Sequence, residues 1–574
     1  MTTTIIAAST TTMFKFAAAY DQLVVSAGVD IATTAAPAIE TAFGLADVIV
    51  EGSAYGSMGF LDSSVSGGDI VTVGQSGILL GVGGYGVDIK GNGSHIANSG
   101  FIDGAESAGI FAGSSSIVNQ GSIEGYYEAI FDAGADNIDN SGTLSSLSSL
   151  QFTIYEASGD DTIFNSGSIH SSKGQAAIFA NGGQNAITNS GTIGGGVVGV
   201  LLAGGSNTLL NSGTIEGVGG GIVITGTVGG TTIENTGLIE AVTQTADAVH
   251  FNENGVSDQL INLGTILGAV QFDSGYGALN NSGVIDGEVY LNATDAVVSN
   301  SGRISGQIVF SGDYNSYLGA HGDLEGSVYC SGSHGLYVGG ARGTTFSITG
   351  AQLANTDTIT GGASADDTLD ITGAGVITTN ALKNVSGFET LSLAANESIA
   401  IRETLADTAA GHALTIDTSG VDLVNLASVT STTDAITIWG AGGDIITAGA
   451  SRYTFAFASA GASTGPSYDL ILGVNFAHDK FDVTTGIDAV TGIDTAVKSG
   501  SLSNATFNTD LAADLGSTKL SADHAVLFTA SAGQLIGDTF LVVDLNGMAG
   551  YQANADLAIR LTGPTGTLSL ANFI

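Results

Sequence analysis

Cysteine is nearly absent: Cys330 is the single thiol in 574 residues. One thiol excludes an internal disulfide framework, and its apolar surroundings fit a small buried hydrophobe. Proline is equally scarce, at 3 residues, while glycine reaches 87. That combination excludes a collagen-like chain and points to many tight turns between short strands. Basic residues are few: 12 Lys+Arg face 54 Asp+Glu, a net charge of −42. Such a field repels nucleic acid and anionic membranes and leaves divalent cations as the natural counter-charge. No run reaches the roughly 18 apolar residues of a membrane-spanning helix. The opening residues have no cationic stretch, the first cation being Lys15, so they are not expected to act as a secretory signal peptide. Hydrophobic residues still make up 43% of the chain, which excludes a disordered acidic tail.

What the chain does have is a repeat. An Asn-x-Gly unit, followed within two positions by Ile, Leu or Val, recurs at Asn98, Asn119, Asn140, Asn165, Asn189, Asn211, Asn235, Asn262, Asn281 and Asn300, at intervals of 19 to 27 residues. Weaker copies at Gln75-Ser-Gly and Ala320-His-Gly extend the series. A small or glycine turn and an Asn or Asp sit a few residues upstream, as in Gly204-Gly-Ser-Asn-Thr-Leu209. Variable length with fixed strand-and-turn chemistry describes one coil of a parallel β-solenoid. The expected fold is therefore all-β: a β-helix of about a dozen coils, with aliphatic ladders inside and the asparagines stacked into a structural ladder. A leucine-rich repeat would need L-x-x-L-x-L spacing, which is missing.

The organisation expected is a cap or attachment segment over 1–46, the β-helix over 47–335, a second β region over 336–460, and a C-terminal β domain over 461–574. Between residues 91 and 302 there are 20 acidic residues and one cation, Lys173. The plain reading is a solvated face; the sharper one is a set of divalent-cation sites.

Past residue 335 the asparagine repeat stops. Gly440-Ala-Gly-Gly-Asp444-Ile-Ile446 and Gly361-Gly-Ala-Ser-Ala-Asp366-Asp367-Thr-Leu369 resemble the calcium-binding nonapeptide of RTX proteins, and Ser158-Gly-Asp160-Asp161-Thr-Ile163 is a shorter echo. The strand Val385-Ser-Gly-Phe388-Glu389-Thr390-Leu-Ser-Leu393 is similar to segments of bacterial RTX-type S-layer proteins. So are Tyr468-Asp469 through Asp479-Lys480-Phe481-Asp482, Asp544-Leu-Asn546-Gly547 and the closing Leu570-Ala-Asn-Phe-Ile574. The resemblance covers about residues 355–574. It implies export by type I secretion from a Gram-negative bacterium, with the signal at the C-terminus, and calcium as cofactor. The ligand candidates it implies are Asp366, Asp367, Asp444, Asp544 and Asn546, and the echo adds Asp160 and Asp161.

Catalysis is not expected. The eight histidines are scattered, and there is no H-E-x-x-H, nucleophile elbow or P-loop. With 54 acids, any carboxylate pair is uninformative as a glycosidase signature. The function expected is a secreted, calcium-dependent, self-assembling structural protein forming an S-layer on the cell surface. Its partners would be other copies of itself and cell-surface polysaccharide or lipopolysaccharide. A filament-forming matrix protein and a monomeric adhesin or glycan-binding protein are the alternatives.

Overall fold

The computed structural model describes residues 2–226, 229–243, 245–253, 257–273, 275–353, 357–440, 442–483 and 489–574. The chain divides into two compact units, Met1–Gly312 and Asp313–Ile574. Both are built from parallel β-solenoid, about 21 turns in all. That is more than the dozen expected from the asparagine repeat. The repeat counts only coils that carry the asparagine, and coils with other residues at that corner precede and follow them. The division at Gly312 also falls earlier than the boundary expected at residue 335.

In the first unit each coil carries three short strands separated by tight corners. Ser94–Asn98, Phe101–Gly104 and Ile110–Ala112 form one coil. Ser115–Asn119, Ser122–Gly125 and Ile130–Asp132 form the next. The two stack as parallel pairs, Ser94 on Ser115, Phe101 on Ser122 and Ile110 on Ile130. Three parallel sheets result, one per side. Residues 3–41 of the N-terminal segment are coils of this same solenoid: Thr3–Ile6 pairs with Gln22–Val25, which pairs with Asp47–Val50.

Strand alternation sends every second side chain inward, and the stacking brings equivalent inward residues into columns. Ile96, Ile117, Ile138, Ile163 and Ile187 line the first sheet, and Ile102, Ile123, Leu144, Ile169 and Ile193 the second. Ile110, Ile130, Ile154 and Ile178 line the third. All are buried. Burying each such side chain is worth roughly 1.5–3 kcal/mol, and a single coil cannot bury its own face without a neighbour above and below.

The corner from the first sheet to the second is held by asparagine. From Asn98 to Asn281, each side-chain amide donates through Nδ2 to the Oδ1 of the asparagine one coil on, ending at Asn300, at 2.7–2.9 Å. The same Nδ2 also reaches a backbone carbonyl of the next coil, such as Thr214 O from Asn189 at 3.1 Å. The glycine two residues on is required by close approach. A Cβ at Gly142 would overlap the carbonyl oxygen of Gly121 beneath it.

The second unit changes the cross-section. Its first coil keeps three strands, Ser316–Leu318, Asp323–Leu324 and Ser327–Cys330. Further on, coils reduce to two main strands. Ala413–Thr418 with Leu423–Asn425 is followed by Ala435–Gly440 with Ile445–Thr447. After Lys480–Asp482 the chain leaves the stack and builds a lobe around Phe507, Leu511, Leu515, Phe528, Phe540 and Val542. It then returns as Leu557–Thr562, parallel to Leu470–Leu472 on one side and antiparallel to Thr539–Val543 on the other. The last residues are pinned to the final coil: the Ile574 N–H donates to Phe481 O at 3.1 Å, and Asn572 Nδ2 donates to Phe476 O and Asp479 O. No helix among the described residues is long and apolar enough to cross a membrane.

Candidate functional site

Four residues before each ladder asparagine, the chain turns from the third sheet into the first. There the strand ladder is interrupted, and a backbone N–H would be buried without a partner. A second ladder supplies one. Asp69 accepts the N–H of Ala46 (2.8 Å), Asp161 that of Asp136 (2.9 Å), Asn185 that of Asp161 (3.2 Å), Asn207 that of Asn185 (3.1 Å) and Asp258 that of Thr231 (2.8 Å). Each oxygen reaches back one coil. Asp and Asn suit the task because a short side chain can present an oxygen from the turn itself.

The second unit uses the same device. Asp357 accepts from Gly335, Asp367 from Thr344, Asp422 from Glu397, Asp444 from Asp422 and Asp469 from Asp444, at 2.7–2.9 Å. Three of the residues suggested by the RTX-like turns, Asp161, Asp367 and Asp444, are therefore corner-ladder residues. Asp367 Oδ2 also accepts the Gly362 N–H (2.6 Å), and Asp444 Oδ2 the Thr418 hydroxyl (2.7 Å). In these two carboxylates both oxygens accept hydrogen bonds within the fold.

The other suggested residues are dispersed. Asp160 is exposed and accepts the Gln184 N–H at 2.8 Å. Asp366 is exposed beside Asp367. Asp544 and Asn546 share a turn in the C-terminal lobe. Asp544 Oδ1 accepts the N–H groups of Asn546 and Gly547, and Asn546 Nδ2 donates to Gln552 and to Asp556 Oδ1. Burial, opposed by two backbone hydrogen bonds and reinforced by the Asp544 charge, pushes the Asp556 carboxyl up to about 7. Nothing brings Asp160, Asp366 and Asp544 together.

One group was not apparent from sequence. Asp132 ends a third-sheet strand, Asp136 stands at the corner after it, and Glu156 ends the third-sheet strand one coil on, in register with Asp132. One oxygen from each lies within 4.8 Å of those of the other two. All three are buried, and so is Asp161 at the next corner, whose charge Asp136 and Glu156 feel. Burial pushes the carboxyl of Asp132 up to about 6 and that of Asp161 to about 7. Burial with the Asp132 charge pushes Asp136 up to about 9, and burial with the charges of Asp132 and Asp161 holds Glu156 well above the carboxylate range.

Outside the third sheet, Tyr85, Phe111, Phe131, Tyr155 and Phe179 form a ladder with centroids 5.0–5.5 Å apart. Phe111–Phe131 and Tyr155–Phe179 are stacked face to face, so those rings lean on one another rather than offering open faces as sugar platforms. Trp439, by contrast, lines a cleft of about 650 Å³ with Thr390, Thr415, Asp417 and Thr418. Comparison of the chain with protein-family models, with curated proteins and with solved structures returns no match.

Proposed function

We propose that the protein is an exported structural protein that self-assembles into a surface lattice of the S-layer kind, with calcium between its acidic faces. The observation that carries this reading is like-charge stacking on the outward faces. Asp103 stands in register beside Glu124, and Glu216 beside Glu240. Adjacent strands lie about 4.8 Å apart, so these carboxylates repel at a distance where a divalent cation would bridge them. Burial with the Glu124 charge already pushes the Asp103 carboxyl up to about 6. With 54 acids and 12 basic residues, the chain cannot neutralise such faces internally. Flat, parallel faces, repeated coil by coil, suit lateral contact between copies. The reading is non-catalytic, and the RTX-like C-terminal segments supply the export route.

The test is electron microscopy of the purified protein in millimolar calcium and then in chelator. Ordered sheets that form with calcium and dissolve without it are expected, and fibres would select a matrix filament instead. Dispersed monomers under both conditions would overturn the assembly reading. The cleft at Trp439 favours a second reading as a glycan-binding surface protein, because an indole beside Thr hydroxyls and a carboxylate is suited to a sugar ring. Loss of glycan-array binding in Trp439→Ala would support it.

A further inference from the structure

The inward column at the ends of the third-sheet strands runs Ile89, Ala112, Asp132, Glu156, Ala180, Leu202 in successive coils. Two carboxylates stand where the coils on either side place alanine. Asp132 and Glu156 are 0% exposed and Asp136 4%. The hydrogen bonds they make are few. Asp132 Oδ1 accepts the Gly134 N–H at 3.0 Å, and Asp136 Oδ1 accepts the N–H of Ser115. Among the described residues, Oδ2 of Asp132, Oδ2 of Asp136 and both oxygens of Glu156 have no hydrogen-bond partner, and neither does Oδ2 of Asp161. Glu156 is thus wholly buried, unpartnered on both oxygens, and within reach of two other carboxylates.

Buried carboxylates without partners are strongly disfavoured, and alanine at these two positions would carry no such penalty. Only protons or a cation can relieve three or four such groups. One oxygen from each of Asp132, Asp136 and Glu156 is near enough to the other two to share a cation. Calcium accepts an irregular shell of carboxylate oxygens at about 2.4 Å, whereas magnesium demands a near-ideal octahedron at ~2.1 Å and usually keeps several waters. The donor set is entirely hard oxygen, which selects against thiophilic metals. We propose that Asp132, Asp136 and Glu156 bind one calcium ion inside the corner that links the third sheet to the first, tying two successive coils together. This site lies within one molecule, unlike the intermolecular bridges of the assembly reading, and its occupancy does not depend on that reading.

The test uses the full-length protein, stripped with chelator and kept dilute enough that light scattering reports no assembly. Calcium is then added alone. Equilibrium dialysis should find one fewer tightly bound calcium per chain in Asp132→Ala/Glu156→Ala than in the parent. Calcium should raise the melting temperature of the parent more than that of the variant. In chelator the order should reverse, the variant melting higher because alanine replaces buried charge. Glu156→Gln, which keeps the side-chain volume, should bind calcium at least tenfold more weakly. Equal calcium stoichiometry and equal calcium-induced melting shifts in the parent and both variants would overturn the site and assign the cluster to shared protons. Magnesium serves as the comparison ion, and a larger shift with magnesium than with calcium would overturn the assignment to calcium.

Discussion

Replacing Asn189 by Ala removes one rung of the amide ladder from the middle of the first unit. Asn189 is fully buried. Its Nδ2 donates to Asn211 Oδ1 at 2.8 Å and to Thr214 O at 3.1 Å, and its Oδ1 accepts from Asn165 Nδ2 at 2.8 Å. The three hydrogen bonds to neighbouring coils are lost. Each has a net worth of about 1 kcal/mol, and a buried group left unpaired adds roughly 1–3 kcal/mol. Asn165 keeps its bond to Thr192 O, so the main orphan is Asn211 Oδ1. The sum is roughly 4–6 kcal/mol. A solenoid unfolds in neighbouring blocks rather than as a whole, so the assay is amide hydrogen exchange over residues 186–217. A local loss of that size lowers protection by about three to four powers of ten. Asn211→Ala alone should behave similarly, because it also breaks two amide links. The double variant breaks three links rather than four, and so should fall short of the sum of the singles by about 1–2 kcal/mol. A single-variant loss under about 1 kcal/mol, or strict additivity, would refute the ladder as a cooperative element.

Gly142→Ala should destabilise its coil by about 1–3 kcal/mol or more, read as a fall in melting temperature, because the new methyl meets the Gly121 carbonyl, a backbone atom that cannot turn aside. Asp469 predicts a pH dependence. Burial, with the Asp444 charge adding to it, raises its carboxyl from an ordinary 3.8 to about 8. Between those values the folded chain keeps a proton that the unfolded chain has released, so stability falls as pH rises from about 4 to 8, by up to about 1.4 kcal/mol per pH unit, and is flat above. Asp469→Asn can still accept the Asp444 N–H and should flatten that slope in denaturation measured across pH. Cys330 is 2% exposed, and burial holds its thiol well above the ordinary range. It should be inert to a disulfide-exchange reagent in the native protein and release one equivalent in guanidinium, and rapid native labelling would refute its burial.

Much of the fold is legible in the chain because a parallel solenoid is a local object. The asparagine that turns the corner, the glycine two residues on and the Ile that points inward all lie within a few residues, and their chemistry repeats. The corner ladder is legible too once its offset is known, since Asp136, Asp161, Asn185 and Asn207 each precede a ladder asparagine by four residues. The extent of the solenoid was less legible. Coils over residues 3–73 and beyond 335 carry other residues at the asparagine corner, Val50 and Val73 among them, and hold together by the same apolar columns without its signature.

From sequence alone came the all-β solenoid, the identity of its amide ladder and the sign and size of its charge, because these follow from periodicity, turn chemistry and composition. Only the tertiary structure decided which acids meet. Asp132 and Glu156 lie 24 residues apart, in a repeat whose coils vary by up to eight residues, so their register cannot be counted along the chain. It is set by strand pairing and by how much loop each corner extrudes. The same stacking shows that Asp367 and Asp444, which read as ligands by motif, spend their oxygens on backbone N–H groups and a hydroxyl. The buried carboxylates of Asp132, Asp136 and Glu156 are left with oxygens that no hydrogen bond fills.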